Sequence, residues 1–457
     1  MPEFSELSLS APLQRALHEI QYVTMTPVQE ASLPAVLAGR DVVAQAATGS
    51  GKTAVFALAL LATLDASAVR LQALVLCPTR ELADQVSREI RRLARFIPNV
   101  KVLTLCGGIP LRPHLASLAH EPHIVVGTPG RILELLQKDA LPLDFLKVLV
   151  LDEADRMLDM GFADELDSIV ERAPSERQTL LFSATIPESI REVSRQYQRD
   201  PLDVTVSAVV DEPAIEQVFI AVEPEAKIDA LEAVLLEYRP ESAVVFCNTR
   251  QDVRRVAGEL AAKEFSVLAL HGELEQRERE EMVVRFANRS CTVLVASDVA
   301  ARGLDIADLA MVINFDVAAD ADTHLHRIGR TGRAGRRGIA VSLCSPRETA
   351  RVKVIEARLG APVQWRKLSD RPGADAALPA PFVTLAVDAG RKDKLRPGDV
   401  LGALTGEAGL PAARIGKIDV FPTRTYVAVE RGLHEQALQR LRAGKIKGRT
   451  LRIRKIS

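Results

Sequence analysis

Short apolar runs recur along two long stretches of this chain, each run separated from the next by a span of helical periodicity. In the first stretch they lie at 71–77, 100–106, 123–127, 147–151 and 178–182; in the second, at 243–247, 266–270, 291–296, 310–315 and 339–344. The runs are apolar almost throughout and barely alternate with polar residues, which marks parallel strands covered on both faces. Spans such as 80–96 and 251–264 supply crossover helices, so each stretch predicts a doubly wound α/β domain with a parallel sheet. The first is expected over 1–207 and the second over 217–368, with a linker at 208–216 where the pattern lapses. A break rich in Pro, Ala, Asp and Gly at 369–381 reads as a second linker. Beyond it, 382–457 changes pattern: strand 382–387, helix 397–405, strands 415–420 and 425–430, helix 433–442, strand 451–456. That βαββαβ order is the split βαβ plan of a small α+β domain.

Charge is unevenly placed. The chain carries 59 Lys and Arg against 60 Asp and Glu, a net −1. From Phe382 onward there are 16 bases and 7 acids, a net +9, which leaves −10 on the rest. A basic tail on an acidic body predicts that the tail meets a polyanion. Its linker carries no docking signal, so the tail is expected to act as a tethered binder. No uncharged apolar run reaches the ~18 residues a membrane span needs. The start, Met1-Pro2-Glu3-Phe4-Ser5-Glu6, lacks the basic segment of a secretory signal. Cys77, Cys106, Cys247, Cys291 and Cys344 sit singly at the ends of apolar runs, as expected of buried free thiols in a reducing cytoplasm.

Ala46-Ala47-Thr48-Gly49-Ser50-Gly51-Lys52-Thr53 follows a short apolar strand and opens an apolar helix. Small residues let successive backbone N–H groups face phosphate oxygens, and the helix N-terminus adds partial positive charge. In such a loop Lys52 reaches the β/γ phosphates of a nucleotide and the Thr53 hydroxyl ligates Mg²⁺. Downstream, Asp152-Glu153-Ala154-Asp155 ends the apolar run at 147–151. Asp152 is placed to hold Mg²⁺ and Glu153 to orient and deprotonate an attacking water, the division of labour that phosphoryl transfer requires.

With these residues in hand, the chain resembles a DEAD-box RNA helicase from about Tyr22 to Arg333, which implies two tandem RecA-like domains. The resemblance implies that Tyr22, Thr26 and Gln29 form the adenine pocket, Tyr22 by stacking and Gln29 by reading the base edge. It implies that Ala47, Thr48, Gly49, Ser50 and Gly51 cradle the phosphates of ATP. Ser183 and Thr185, in Ser183-Ala184-Thr185, would couple hydrolysis to strand separation. In the second domain, His326-Arg327-Ile328-Gly329-Arg330-Thr331-Gly332-Arg333 would supply Arg330 and Arg333 to the transferring phosphoryl group, with His326 beside the γ-phosphate. Asp305 would hold the ribose, and Arg302 would link nucleotide and RNA sites.

The RNA track implied by the same resemblance consists of Pro78-Thr79-Arg80, Gly107-Gly108 and Thr128-Pro129-Gly130-Arg131 in the first domain. Asn248, Gln276, Arg279 and Ser297 continue it in the second; Ser297 stands where the family usually has Thr. Such loops beyond strand ends suit a sugar–phosphate chain and read backbone in place of bases. The tail resembles the RNA-binding domain of the DbpA-type subgroup, including Arg396-Pro397-Gly398-Asp399-Val400-Leu401. That implies recognition of a hairpin in large-subunit ribosomal RNA and action on pre-ribosomal particles, with Lys392, Lys394, Arg396, Lys445, Lys447, Arg449 and Arg452 as contacts. No obligatory protein partner is evident. The expected activity is RNA-stimulated ATP hydrolysis coupled to local duplex unwinding. The alternatives are an ATP-dependent RNA clamp or annealing chaperone with little turnover, and a DNA helicase.

Overall fold

The structure, a computed structural model, describes residues 2–46, 49–205, 215–301, 309–332, 337–368, 379–406 and 409–456, the side chains of Gln276 and Val299 excepted. The chain divides into two compact units that meet in sequence at 212–213.

The first unit holds β1 (Val42–Gln45), β2 (Ala73–Leu76), β3 (Val102–Leu105), β4 (Ile124–Gly127), β5 (Val148–Asp152), β6 (Gln178–Ser183) and β7 (Leu202–Thr205). They form one parallel sheet in the order β3-β4-β2-β5-β6-β1-β7. Val75, Val126, Val150 and Leu180 pack on one face and Leu74, Val125, Leu149 and Leu181 on the other, all at 0% exposure. Burial on both faces is the physical reason that the sequence does not alternate. The strands β1, β2, β4, β5 and β6 all end on the same edge, so the loops that follow them gather there.

In the second unit β8 (Ile215–Ala221), β9 (Ala243–Cys247), β10 (Val267–Leu270), β11 (Val293–Ser297), β12 (Met311–Asn314), β13 (Gly338–Cys344) and β14 (Gln364–Trp365) make a second parallel sheet, ordered β10-β11-β9-β12-β13-β8-β14. The strand β8 begins inside the span read from sequence as linker, because Glu216 and Gln217 interrupt its apolar character. The rest of that linker and most of the second one lie outside the described residues. Neither β7, half-exposed along one edge, nor the two-residue β14 has a sequence signature.

The tail forms β15 (Phe382–Val387), β16 (Ile415–Val420), β17 (Thr425–Glu430) and β18 (Ile453–Lys455), an antiparallel sheet ordered β16-β17-β15-β18. Helices Pro397–Thr405 and His434–Ala443 cover one face through Leu385, Val387, Val427, Val429 and Ile453. The other face is not free. It packs on helix Gln276–Ala287 of the second sheet domain, where Val284 meets Ala386, Tyr426 and Ile456. The two domains share the second compact unit, so the expectation of a merely tethered tail is corrected: an apolar and ionic contact holds it.

Candidate functional site

The loop after β1 turns on two glycines in the left-handed region, Gly49 at φ 86° and Gly51 at φ 96°. Gly51 is the N-cap of helix Lys52–Thr63. A Cβ there would sit 2.3 Å from the Gln29 amide nitrogen, so any side chain would be strained at this φ and would push the Gln29 amide out of place. Lys52 is 6% exposed and its ammonium has no hydrogen-bond partner. Asp152, at the end of β5, is 3% exposed, and its Oδ1 is equally unpartnered. Burial pushes the Asp152 carboxyl up to about 7, against the pull of the Lys52 charge. A buried cation and a buried carboxylate, each with bonding capacity unused, form a site prepared for a polyanion and a hard cation. Ala47 and Thr48 lie outside the described residues.

Thr26 and Gln29 are brought to this loop, through their own hydrogen bonds. The Thr26 hydroxyl donates to the Ser50 carbonyl at 2.7 Å. The Gln29 amide accepts from Thr26 N at 2.8 Å and donates to the Gly51 carbonyl at 3.1 Å. Each end of that amide carries one bond, which leaves its second N–H and the second lone pair of its oxygen for an adenine edge. Tyr22 is stacked on Phe4, with centroids 6.0 Å apart, and Arg92 lies 5.7 Å from its ring centre. Its hydroxyl donates to Glu89 at 2.9 Å, and burial with the Glu89 charge pushes it up to about 12.

Glu153 follows Asp152 in the left-handed region at φ 54°, ψ 53°, and caps helix Ala154–Asp159. A non-glycine residue held there is strained, and such strain concentrates where a side chain must be aimed. The next acid, Asp155, has no assigned role in the sequence reading, yet it ties two motifs together. Its Oδ2 accepts from Thr185 N at 3.1 Å and from the Thr185 hydroxyl at 3.0 Å, while its own N–H donates to the Ser183 hydroxyl at 3.3 Å. Ser183 and Thr185 thus grip the acidic loop directly.

On the same edge, Thr79 caps helix Arg80–Leu93 by accepting from Leu82 N at 3.3 Å, behind buried Pro78. Gly107 N donates to the Thr128 hydroxyl at 3.1 Å, which joins two of the predicted RNA loops. Added Cβ atoms on Gly107, Gly108 and Gly130 would meet nothing within 4 Å, so these backbones face open space. Pro129 starts the helix that follows β4. Arg131 is different: 8% exposed, it contacts His114 at 2.5 Å, donates to Ile109 O at 2.7 Å and pairs with Glu134 at 3.0 Å. It braces the Gly107–Gly108 loop from within.

In the second unit the residue that sequence reasoning passed over is Arg327. It is 2% exposed, and its guanidinium grips both Asp298 oxygens at 2.7 Å, Asn248 Oδ1 at 2.7 Å, the Asp316 carbonyl at 2.7 Å and Asn314 Oδ1 at 3.3 Å. Bidentate carboxylate recognition is the geometry arginine is built for. It locks the loops after β9, β11 and β12 to the turn that carries His326 and Arg330, both half-buried. Asn248 is committed to this network, since its amide nitrogen donates to Val317 O at 3.2 Å. Arg279 donates to Ala300 O at 2.8 Å, joining helix Gln276–Ala287 to the segment after buried Ser297. Arg302, Asp305 and Arg333 lie outside the described residues.

In the tail the fold gathers Lys394, Arg396 and Lys447, and adds Arg391, around a cavity of about 360 Å³ floored by Leu395. Lys447 Nζ donates to the Lys394 carbonyl at 2.6 Å, and both residues are left-handed, at φ 52° and 60°. Lys445 faces a neighbouring groove with Gln436, Gln439 and Arg440. Lys392, Arg449 and Arg452 are exposed outside both hollows.

Comparison with known proteins gives three family matches: DEAD/DEAH box helicase over residues 26–193, helicase conserved C-terminal domain over 226–335, and DbpA RNA binding domain over 384–455. The chain is 54% identical to ATP-dependent RNA helicase DbpA of Escherichia coli (strain K12), over 99% of each chain. It is 35% identical to the protein of that name in Bacillus subtilis (strain 168), over 100% of this chain and 99% of the relative. Among solved structures, S. cerevisiae Dbp5 bound to RNA and ADP BeF3 superposes with a TM-score of 0.72 at 29% identity, covering 81% of this chain and 97% of that one. Mss116p bound to ssRNA and AMP-PNP gives 0.71 at 27% identity, over 80% of this chain and 79% of that one.

Proposed function

Since the chain belongs to the DEAD-box family of ATP-dependent RNA helicases, and within it to the DbpA type, we propose that it unwinds short duplexes of large-subunit ribosomal RNA during ribosome assembly. The observation that carries the nucleotide half of this reading is the pair of buried, unpartnered groups Lys52 Nζ and Asp152 Oδ1 beside the glycine turn.

In the proposed reaction Lys52 and the backbone of 49–53 bind the β and γ phosphates of ATP. Thr53 and Asp152 would hold Mg²⁺, which when bound would offset the charge of the phosphates. Two protein oxygens suit this ion, because Mg²⁺ keeps waters and phosphate oxygens as its other ligands. Glu153 takes the proton of the attacking water, its carboxylate aimed by the strained turn. Arg330 and Arg333, supplied by the second lobe with His326, stabilise the charge on the transferring group. Asp155, held by Ser183 and Thr185, relays the state of the acidic loop to the following strand end. RNA runs along Pro78–Arg80, Gly107–Gly108 and Thr128–Gly130 by its backbone, and continues on Gln276, Arg279 and Ser297. Gln29 reads the adenine edge with its second amide N–H and the second lone pair of its oxygen.

Target choice falls to the tail, whose Arg391, Lys394, Arg396 and Lys447 cavity suits phosphates of a folded hairpin. The test is multiple-turnover ATPase activity with large-subunit ribosomal RNA, poly(U) and matched DNA. Stimulation is expected in that descending order. Equal stimulation by all three refutes the ribosomal assignment.

A further inference from the structure

Lys227 is a buried cation to which neither the nucleotide site nor the RNA track gives a role. Lysine is almost never buried unless it is paired. This one opens helix Lys227–Tyr238, is 5% exposed, and directs its ammonium at the segment that follows β12. Its Nζ donates to the Phe315 carbonyl at 2.8 Å, to Asp316 Oδ1 at 3.3 Å and to Glu348 Oε2 at 2.8 Å. Glu348, 9% exposed, holds the far end of the same segment, where its Oε1 accepts from Val317 N at 2.9 Å. The segment in turn holds two groups of the functional site. Asp316 Oδ2 accepts from Asn248 N at 3.0 Å, Val317 O accepts from the Asn248 amide at 3.2 Å, and Asp316 O accepts from Arg327 at 2.7 Å. Phe315 N and Asp316 N both donate to Phe246 O, so every backbone N–H and C=O of 315–317 has a partner.

A buried ion cluster is a poor way to gain stability, because apolar residues of like volume often stabilise as well or better. What it can do is aim. Here two cations, Lys227 and Arg327, and three carboxylates, Glu348, Asp316 and Asp298, are joined through one short segment. Asp316 is the link between them: its carboxylate bridges Lys227 and Asn248, and its carbonyl holds Arg327. Asn248 is an RNA contact expected from the sequence, and Arg327 belongs to the same turn as Arg330. We propose that Lys227 is a positioning residue for RNA-stimulated hydrolysis. It fixes Asp316, so that the RNA contact and the turn bearing His326 and Arg330 take up their places as one body. Without its charge Asp316 turns away from Asn248, and the two parts move separately. This inference rests on the roles given above to Asn248 and Arg330.

Lys227→Met keeps the length of the side chain and removes its charge. In the full chain with poly(U), it is expected to raise the RNA concentration for half-maximal ATPase activity about tenfold and to lower saturating turnover about tenfold, the scale of one lost hydrogen bond to a charged group. Binding of fluorescent ADP without RNA should stay within about twofold, since Lys52, Thr26 and Gln29 belong to the first unit. Leu235→Ala separates positioning from stability. It lies in the same helix at 0% exposure and removes packing, but no bond to 315–317. Its RNA half-saturation and turnover should stay within about twofold of the unmutated chain. Asp316→Asn should reproduce the defects of Lys227→Met, and the double variant should be no worse than either alone, because both break one link. Single effects that multiply to about a hundredfold in the double variant overturn the proposal. Equal losses in Leu235→Ala, or a normal RNA response in Lys227→Met, do the same. Hydrogen exchange reads the loop without RNA: amides of 246–251 should exchange faster in Lys227→Met, with those of 293–297 unchanged. Unchanged exchange at 246–251 also overturns it. If RNA does not stimulate the unmutated chain, the roles of Asn248 and Arg330 fail, while exchange still decides whether Lys227 positions the loop.

Discussion

Replacing Asp152 by Asn should stabilise the nucleotide-free protein while abolishing turnover, and the gain should depend on pH in a defined direction. Asp152 is fully buried at the end of β5, beside Lys52. Its carboxyl is held at about 7, against an ordinary 3.8, mainly by burial. It is an acid whose folded-state value is raised, so between about 4 and 7 the native chain keeps a proton that the unfolded chain has released. Native stability therefore falls as pH rises through that window and levels off above it. A displacement of this size costs the ionised form about 4 kcal/mol, or about 2–4 kcal/mol once the surroundings relax around the ion. Asn carries no such cost. Its advantage over Asp should be small near pH 4.5 and reach about 2–4 kcal/mol at pH 8. Urea unfolding by circular dichroism measures it. The single tryptophan, Trp365, lies in the second unit and reports that unit separately by fluorescence. A difference between Asn and Asp proteins that is flat from pH 4.5 to 8 would refute the argument from buried charge.

Glu153→Gln should keep ATP and RNA binding but lower kcat by about 10²–10⁴, because it preserves shape and removes the base; near-normal turnover in a steady-state assay removes Glu153 from that role. Arg327→Ala leaves the half-buried Asp298 without its partner and empties the buried guanidinium site, and should destabilise the second unit by about 2–3 kcal/mol, read as a lower urea midpoint of Trp365 fluorescence. Substituting Lys445, Lys447 and Arg449 together should reduce the slope of log affinity against log salt by about 2–3 for ribosomal RNA. An unchanged slope places the polyanion contacts elsewhere.

Much of this molecule is legible from its residues. The two parallel sheets are written in runs without alternation, and four tail elements match the sequence reading residue for residue: Phe382–Val387, Pro397–Thr405, Ile415–Val420 and Thr425–Glu430. The phosphate loop and acidic tetrad are legible because their chemistry needs fixed residue types at fixed spacing. Arg327 and Arg131 are less so. Each stands inside a motif that reads as a surface for phosphate or RNA, but each is buried and bonded to protein. An arginine's burial depends on carboxylates and carbonyls brought in from distant loops, here Asp298 and Asp316. Gln29 shows the same limit at finer scale. Its residue type announces an adenine reader, while its partners in this structure are Thr26 and Gly51.

The docked tail was legible in principle by the rule that reveals the lobes. A strand exposed on one face alternates; a strand covered on both does not. In Phe382–Val387, Val383, Leu385 and Val387 face the tail's own helices, yet Ala386 between them is apolar too, and Thr384 is uncharged. In Thr425–Glu430 the outward Tyr426 and Ala428 are 3% and 1% exposed. Two central strands whose outward residues are uncharged except for Glu430, at the end of Thr425–Glu430, require a cover, and helix Gln276–Ala287 supplies it over Ala386 and Tyr426. The scarcity of aromatics there, which reads as a weakened RNA-stacking face, is better explained by packing. Val284 needs small neighbours such as Ala386 to approach the sheet, and Tyr426 fills the space with its hydroxyl turned to Glu281. A sheet shaped for a helix is a poor platform for bases, so the residues that weaken one function are those that build the other.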